Sequence, residues 1–223
     1  WEGPWNHLGG IEIANTASTL MQGGETLLTT LLLAAPNPQL ARATLYSRNE
    51  RALSRWDEQA DPRVAGYCSV DSHGQLPTEH EITHWKLQVD VPSTTPLAER
   101  PDAIKRALLE ARFHCIAGTA VGNSGFALEA LTHAGNKGFR GDTLSQSAVA
   151  KLMVRAPRGA HSLTLYRNGH PVVRTTSATI EYRSPEPGNY RVEATQLIAT
   201  PWLRLRSITI AYSNKIRIDE EAH

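Results

Sequence analysis

The five residues Val70-Asp71-Ser72-His73-Gly74 hold the sharpest chemistry in this 223-residue chain. Asp71 and His73 stand two apart, so an extended backbone turns both side chains to one side. A carboxylate and an imidazole presented together are ligands for one divalent cation. They follow an apolar stretch, 64–70, that predicts a buried strand. Parallel β/α architectures place functional groups just past such strand ends. A turn would use the same Asp, Ser and Gly, with His73 in solvent, and two side chains alone do not complete a metal site. Glu12 is the next candidate. It lies between Ile11 and Ile13 in a predicted strand over 10–15, where a carboxylate among buried neighbours needs a partner. Either Glu12 and Asn15 line a metal site, or Glu12 makes a structural hydrogen bond to a neighbouring segment.

The other reactive side chains have weaker patterns. His80 and His84 are four apart, as zinc ligands on a helix would be, but Ile82, Trp85, Leu87 and Val89 around them predict loop and strand. The remaining histidines have no ligand spacing. Cys68 and Cys115 lie in apolar stretches and are expected to be inert core thiols. Two cysteines exclude a disulfide scaffold and a cysteine-rich zinc module. The chain has no P-loop, G-x-G-x-x-G, G-x-S-x-G or H-E-x-x-H motif.

The elements that must position these residues come in two styles. In the first part, strand 10–15 is followed by an apolar run at 25–35, expected as a buried helix and stopped by Pro36-Asn37-Pro38. Ser47-Arg48-Asn49-Glu50 reads as a capping box opening a second helix, which buries Ala52, Leu53 and Trp56 and ends at Asp61-Pro62. Strand 64–70 comes next. The order strand, helix, helix, strand predicts parallel strands with helical crossovers. A further helix is expected over 102–111, with Ile104, Ala107, Leu108 and Ala111 on one face. The last part reads as short antiparallel strands. Asn168-Gly169 is a strong hairpin signal, and Tyr190 after Pro185-Glu186-Pro187-Gly188 is expected to be buried with its hydroxyl bonded across a corner. Two units follow from this change of pattern: an α/β portion over 1–118 and a β-sandwich over 119–218, with an acidic tail at 219–223.

Charge divides at nearly the same place. Residues 1–142 carry 12 Lys and Arg against 16 Asp and Glu, residues 143–218 carry 11 against 3, and the tail adds three acids, for a net +1. The arginines of the β part are spread over alternating positions without interleaved aromatics. They are expected to face solvent, and nucleic acid is not an expected partner. Hydrophobic residues make up 40% and charged residues 20%, a globular composition that excludes a disordered polyelectrolyte. No apolar run approaches the roughly 20 residues of a membrane helix, so a membrane is not an expected partner either. The chain opens on Trp1-Glu2-Gly3-Pro4-Trp5, which reads as the middle of a longer protein. The sequence names no compartment.

In order and spacing, Gly10-Ile11-Glu12-Ile13-Ala14-Asn15, Leu45-Tyr46-Ser47-Arg48, Arg55-Trp56-Asp57 and Val70-Asp71-Ser72-His73-Gly74 resemble the second half of a PHP (polymerase and histidinol phosphatase) domain. The stretch 103–113 resembles the helix and strand that close such domains. Ser124-Gly125-Phe126, Pro201-Trp202 and Ser213-Asn214-Lys215-Ile216 resemble the β-module appended in the carbaryl-hydrolase-like metallohydrolases of that family.

The resemblance implies the C-terminal portion of a distorted seven-stranded β/α barrel, followed by a small antiparallel β-sandwich. It implies two or three divalent ions (Zn, Mn or Fe) and metal-dependent hydrolysis of a phosphoester, ester or carbamate bond in a small-molecule substrate. Asp71 and His73 match the last metal-ligand pair. Glu12 and Asn15 match the strand that lines the site without ligating. The family's earlier ligands have no counterpart here, so an upstream segment or a second chain is expected to complete the barrel. A non-catalytic binding or scaffold protein, built from a truncated barrel and a basic sandwich, is the alternative.

Overall fold

The computed structural model describes residues 9–15, 28, 32, 48–69, 85–118, 125–199 and 205–220. The architecture is mostly β-sheet, with two α-helices whose full ranges are described. Strand β1 (Gly10–Asn15) leads across to helix α1 (Glu50–Asp57) and strand β2 (Ala65–Ser69). β1 and β2 pair in parallel, Gly10 opposite Ala65 and Asn15 opposite Ser69, as the strand and helix order predicts. Of the apolar run at 25–35, the described residues are Leu28 and Leu32. Both are helical and exposed rather than buried.

α1 starts two residues later than the capping box would set it. The cap is Asn49, whose Oδ1 accepts the Ala52 N–H at 3.1 Å, and Ser47 lies outside the described residues. An Asn at this position satisfies one of the first-turn N–H groups left without an intrahelical partner. Leu53 and Trp56 are buried on one face, and Trp56 Nε1 donates to the Val64 carbonyl at 2.7 Å, which fixes the approach to β2.

Strand β3 (Trp85–Val89), helix α2 (Arg100–Leu109) and strand β4 (Phe113–Ala117) follow. α2 begins two residues earlier than expected, at Arg100, with Pro101 accommodated in the first turn. Ala111 lies beyond it at φ 56°. The Arg112 N–H then reaches the Ala107 carbonyl at 2.8 Å and the Ala111 N–H the Leu108 carbonyl at 3.3 Å, a Schellman end. Ile104, expected on the buried face, is exposed.

The remaining strands are β5 (Ala127–Thr132), β6 (Lys137–Gly138), β7 (Thr143–Ser145), β8 (Val149–Arg155), β9 (Ser162–Arg167), β10 (His170–Thr175), β11 (Thr179–Arg183), β12 (Gly188–Ala199), β13 (Leu205–Ser213) and β14 (Ile216–Asp219). One sheet runs β10-β9-β12-β13-β4-β3, with β14 on β12 and β7 on β14. A second runs β11-β8-β5-β6. Leu128, Leu152, Val154 and Ile180 of the second sheet share one core with Leu163, Leu165, Val192, Ala194 and Ile210 of the first. β4 pairs antiparallel with β13, Ile116 opposite Ala211. The first sheet therefore crosses residue 118, and no closed barrel forms among the described residues.

Local turn chemistry holds as read. β9 and β10 join through Asn168-Gly169, both at positive φ (49° and 80°), the conformation that a two-residue type I′ hairpin requires. Tyr190 is fully buried and its hydroxyl donates to the Glu186 carbonyl at 2.7 Å. Burial also raises its pKa to about 12, so the phenol stays a donor. Tyr190→Phe leaves that carbonyl without its partner and is expected to lower stability by about 1–2 kcal/mol, checked by urea unfolding.

Cys68 and Cys115 are a disulfide, not free thiols, with Cα atoms 5.9 Å apart and 47 positions apart in sequence. Apolar surroundings suit a buried thiol and a buried disulfide alike, and only the facing of β2 and β4 brings the two sulfurs together. In the chain-entropy account, closing a loop of this size restrains the unfolded chain by about 4 kcal/mol.

Candidate functional site

The carboxyl ends of parallel strands are where α/β folds gather functional side chains. Here the ends of β1 and β2 lie side by side. One Glu12 carboxylate oxygen accepts the Ser69 hydroxyl, and the other accepts Asn15 Nδ2 at 3.0 Å. Glu12 itself is exposed rather than buried between its flanking isoleucines, so these bonds to its own strand and the neighbouring one are made at the surface. With both oxygens engaged, Glu12 is placed to orient Ser69 rather than to ligate a metal. Ser69 is two residues before Asp71. Asp71 and His73 themselves lie outside the described residues, as do His80 and His84. Among the described residues, no three His, Cys, Asp or Glu gather into a group that could hold a metal.

A second constellation was not foreseen. By strand period Arg191 points away from the sandwich core, since its neighbours Tyr190 and Val192 face inward. It was expected in solvent. It is instead 1% exposed, because α1 lies over that face of the sheet. Its guanidinium grips Asp57 through Nε and Nη2 at 2.6 and 2.7 Å, and reaches Glu193 through Nη1 at 2.5 Å. Arg48 holds the same Glu193 with two bonds at 2.8 and 3.1 Å and pairs with Glu50. The Tyr166 ring lies 4.2 Å from the Arg191 guanidinium.

Burial alone would pull the Arg191 pKa down. The hydrogen bonds and charges of Asp57 and Glu193 outweigh it and hold the group well above its ordinary value. The same balance, with Glu193 as partner, raises Arg48. Lys215 completes the joint: Nζ donates to the carbonyls of Trp56 and Gln59 at 2.7 and 2.8 Å. A cation at a helix C-terminus satisfies its open carbonyls. Burial lowers the Lys215 pKa to about 8. The sequence signal for this cluster was present but weak: Arg55-Trp56-Asp57 and Tyr190-Arg191-Val192-Glu193 are 134 residues apart, and nothing local ties them.

Beyond α1, the same sheet face opens into a cleft of about 370 Å³ floored by Thr164, Thr195 and Thr209, with Tyr166, Arg48 and Arg174 among its walls. Arg174 is exposed and makes a long bond, 3.4 Å, to Thr164. Of the other arginines expected outward, Arg155 and Arg183 are exposed and Arg167, Arg206 and Arg217 half-buried, while Arg204 lies outside the described residues.

Searches against known protein families, curated proteins and solved structures find no match to this chain.

Proposed function

We propose that this chain carries the C-terminal half of a PHP-type, metal-dependent hydrolase acting on a phosphoester, ester or carbamate bond. The supporting observation is the β1–α1–β2 unit, which sets Glu12, Asn15 and Ser69 together at a parallel carboxyl edge, two residues before Asp71. Asp71 and His73, an oxygen and a nitrogen donor suited to Zn, Mn or Fe, would hold the ion. When bound, such an ion supplies an acidified water and polarises the scissile bond. Glu12 keeps the Ser69 end of β2 in register so that the following residues are presented consistently. A catalytic metal takes three protein ligands, so an upstream segment or a second chain would provide the rest. The β-sandwich shapes the substrate side and locks α1 in place through Arg191 and Lys215.

A non-catalytic binding protein is the second reading, favoured by the hydroxyl-floored cleft beside Arg48 and Arg174.

The test is Mn²⁺ and Zn²⁺ binding by isothermal titration calorimetry. The protein should bind weakly, Asp71→Asn should bind undetectably, and Glu12→Gln should lose about tenfold, the scale of an outer-shell change. Adding the complementary barrel half should raise affinity and give hydrolysis of p-nitrophenyl phosphate or acetate, absent with Asp71→Asn. Equal metal binding by the parent and Asp71→Asn proteins, or none by either, rejects the hydrolase reading.

A further inference from the structure

The geometry points to the Cys68–Cys115 disulfide as a redox-controlled clasp on the carboxyl end of β2. The asymmetry of its two strands carries this inference. β4 is an inner strand, hydrogen-bonded to β3 on one side and β13 on the other. Among the described residues β2 has a ladder only with β1, and the two form a separate two-stranded sheet. What ties β2 to the body is therefore side-chain contact. At its amino end the Gly66 N–H donates to Asn214 Oδ1 at 2.6 Å. In its middle Tyr67 stacks on Phe113, ring centroids 4.9 Å apart, and its hydroxyl reaches the Leu108 carbonyl at 3.3 Å. At its carboxyl end the tie is the disulfide. The next residue, Ser69, is the one that holds Glu12. Breaking the bond thus leaves β4 in place and loosens the end of β2 that presents Ser69.

The chemistry is thiol–disulfide exchange with a dithiol reductant. Cys68 is 9% exposed and Cys115 1%, so the incoming thiolate attacks Cys68 Sγ. The Cys68–Cys115 bond breaks, and Cys115 leaves as a thiolate and takes up a proton. The reductant's second thiol then attacks the mixed disulfide and releases Cys68, which is protonated in turn. The protein gains two electrons and two protons, and the dithiol becomes a disulfide. Oxidation clamps the edge and reduction releases it.

The experiment uses the full chain, oxidised and dithiothreitol-reduced, with Cys68→Ser/Cys115→Ser as a second reduced form. Iodoacetamide should label no cysteine in the oxidised protein and two after reduction. Hydrogen exchange at the amides of 67–69 should accelerate at least tenfold on reduction, while β9 and β12 stay protected. Two free thiols in protein purified without reductant would overturn the clasp. So would unchanged exchange at 67–69, or a uniform rise that includes β9 and β12. The effect on metal rests on the hydrolase reading, under which Mn²⁺ should bind more weakly to the reduced form. If neither form binds Mn²⁺ while exchange at 67–69 responds to reduction, the clasp stands and the hydrolase reading falls.

Discussion

Arg191→Met should destabilise the protein by about 3–5 kcal/mol, the cost of removing one partner from a buried ion pair. The side chain is nearly inaccessible, and each of its three guanidinium nitrogens donates to one of two carboxylates. Its loss takes from Asp57 both of the guanidinium bonds that grip it, and leaves Glu193 held by Arg48 alone. The methionine fills most of the volume, so the loss reflects charge and hydrogen bonding rather than a cavity. Arg191→Lys should recover little of it, because an ammonium cannot make the paired bonds to Asp57. Urea unfolding of both variants and of Asp57→Asn gives the comparison. Asp57→Asn combined with Arg191→Met should cost clearly less than the sum of the two, since the groups share one interaction. A loss under about 1 kcal/mol for Arg191→Met, within the range of exposed ion pairs, would show that Arg191 does not fasten α1 to the sheet.

The acid limb of stability should belong largely to His114. Its ring is buried on β4, opposite Gln88 of β3 and Ser213 of β13, and meets the Phe126 ring edge-on at 5.2 Å. Among the described residues neither ring nitrogen has a hydrogen-bond partner, and burial lowers its pKa to about 4. The folded protein keeps this imidazole neutral at pH values where the unfolded chain, near pH 6.5, already takes up a proton. Between about pH 6.5 and 4 the unfolded state therefore binds more protons, and stability falls as pH falls. Over the whole window the loss is roughly 3 kcal/mol. His114→Leu should flatten that part of the curve and leave the carboxylate-driven fall at lower pH. At pH 7.5 it should cost little, because two unsatisfied buried nitrogens disappear with the ring. Unfolding free energies from pH 4 to 8 for both proteins check this. Parallel curves would show that the imidazole titrates in the fold as it does in the unfolded chain.

What the sequence determined is what neighbouring residues decide among themselves. Asn168-Gly169 sets its turn because only those two residues need positive φ. Tyr190 finds the Glu186 carbonyl four residues away. The strand–helix–strand order fixes that β1 and β2 run in parallel, since a helical crossover returns the chain in the same direction. The isoleucines around Glu12 suggested a buried carboxylate, but Glu12 is exposed, and its bonds to Asn15 and Ser69 depend on how β1 and β2 pair. Tertiary structure decided the rest. Strand period assigned Arg191 correctly to the face opposite Val192 but could not say that α1 covers that face. Apolar context placed Cys68 and Cys115 inside without showing that β2 and β4 bring them together across 47 residues. β4 could not be given to the sandwich sheet, because its partner β13 lies about a hundred residues further along. A side chain's periodicity fixes the direction it points. What it meets depends on which distant segment packs there, and that choice is made by the summed burial of the whole chain rather than by any local pattern.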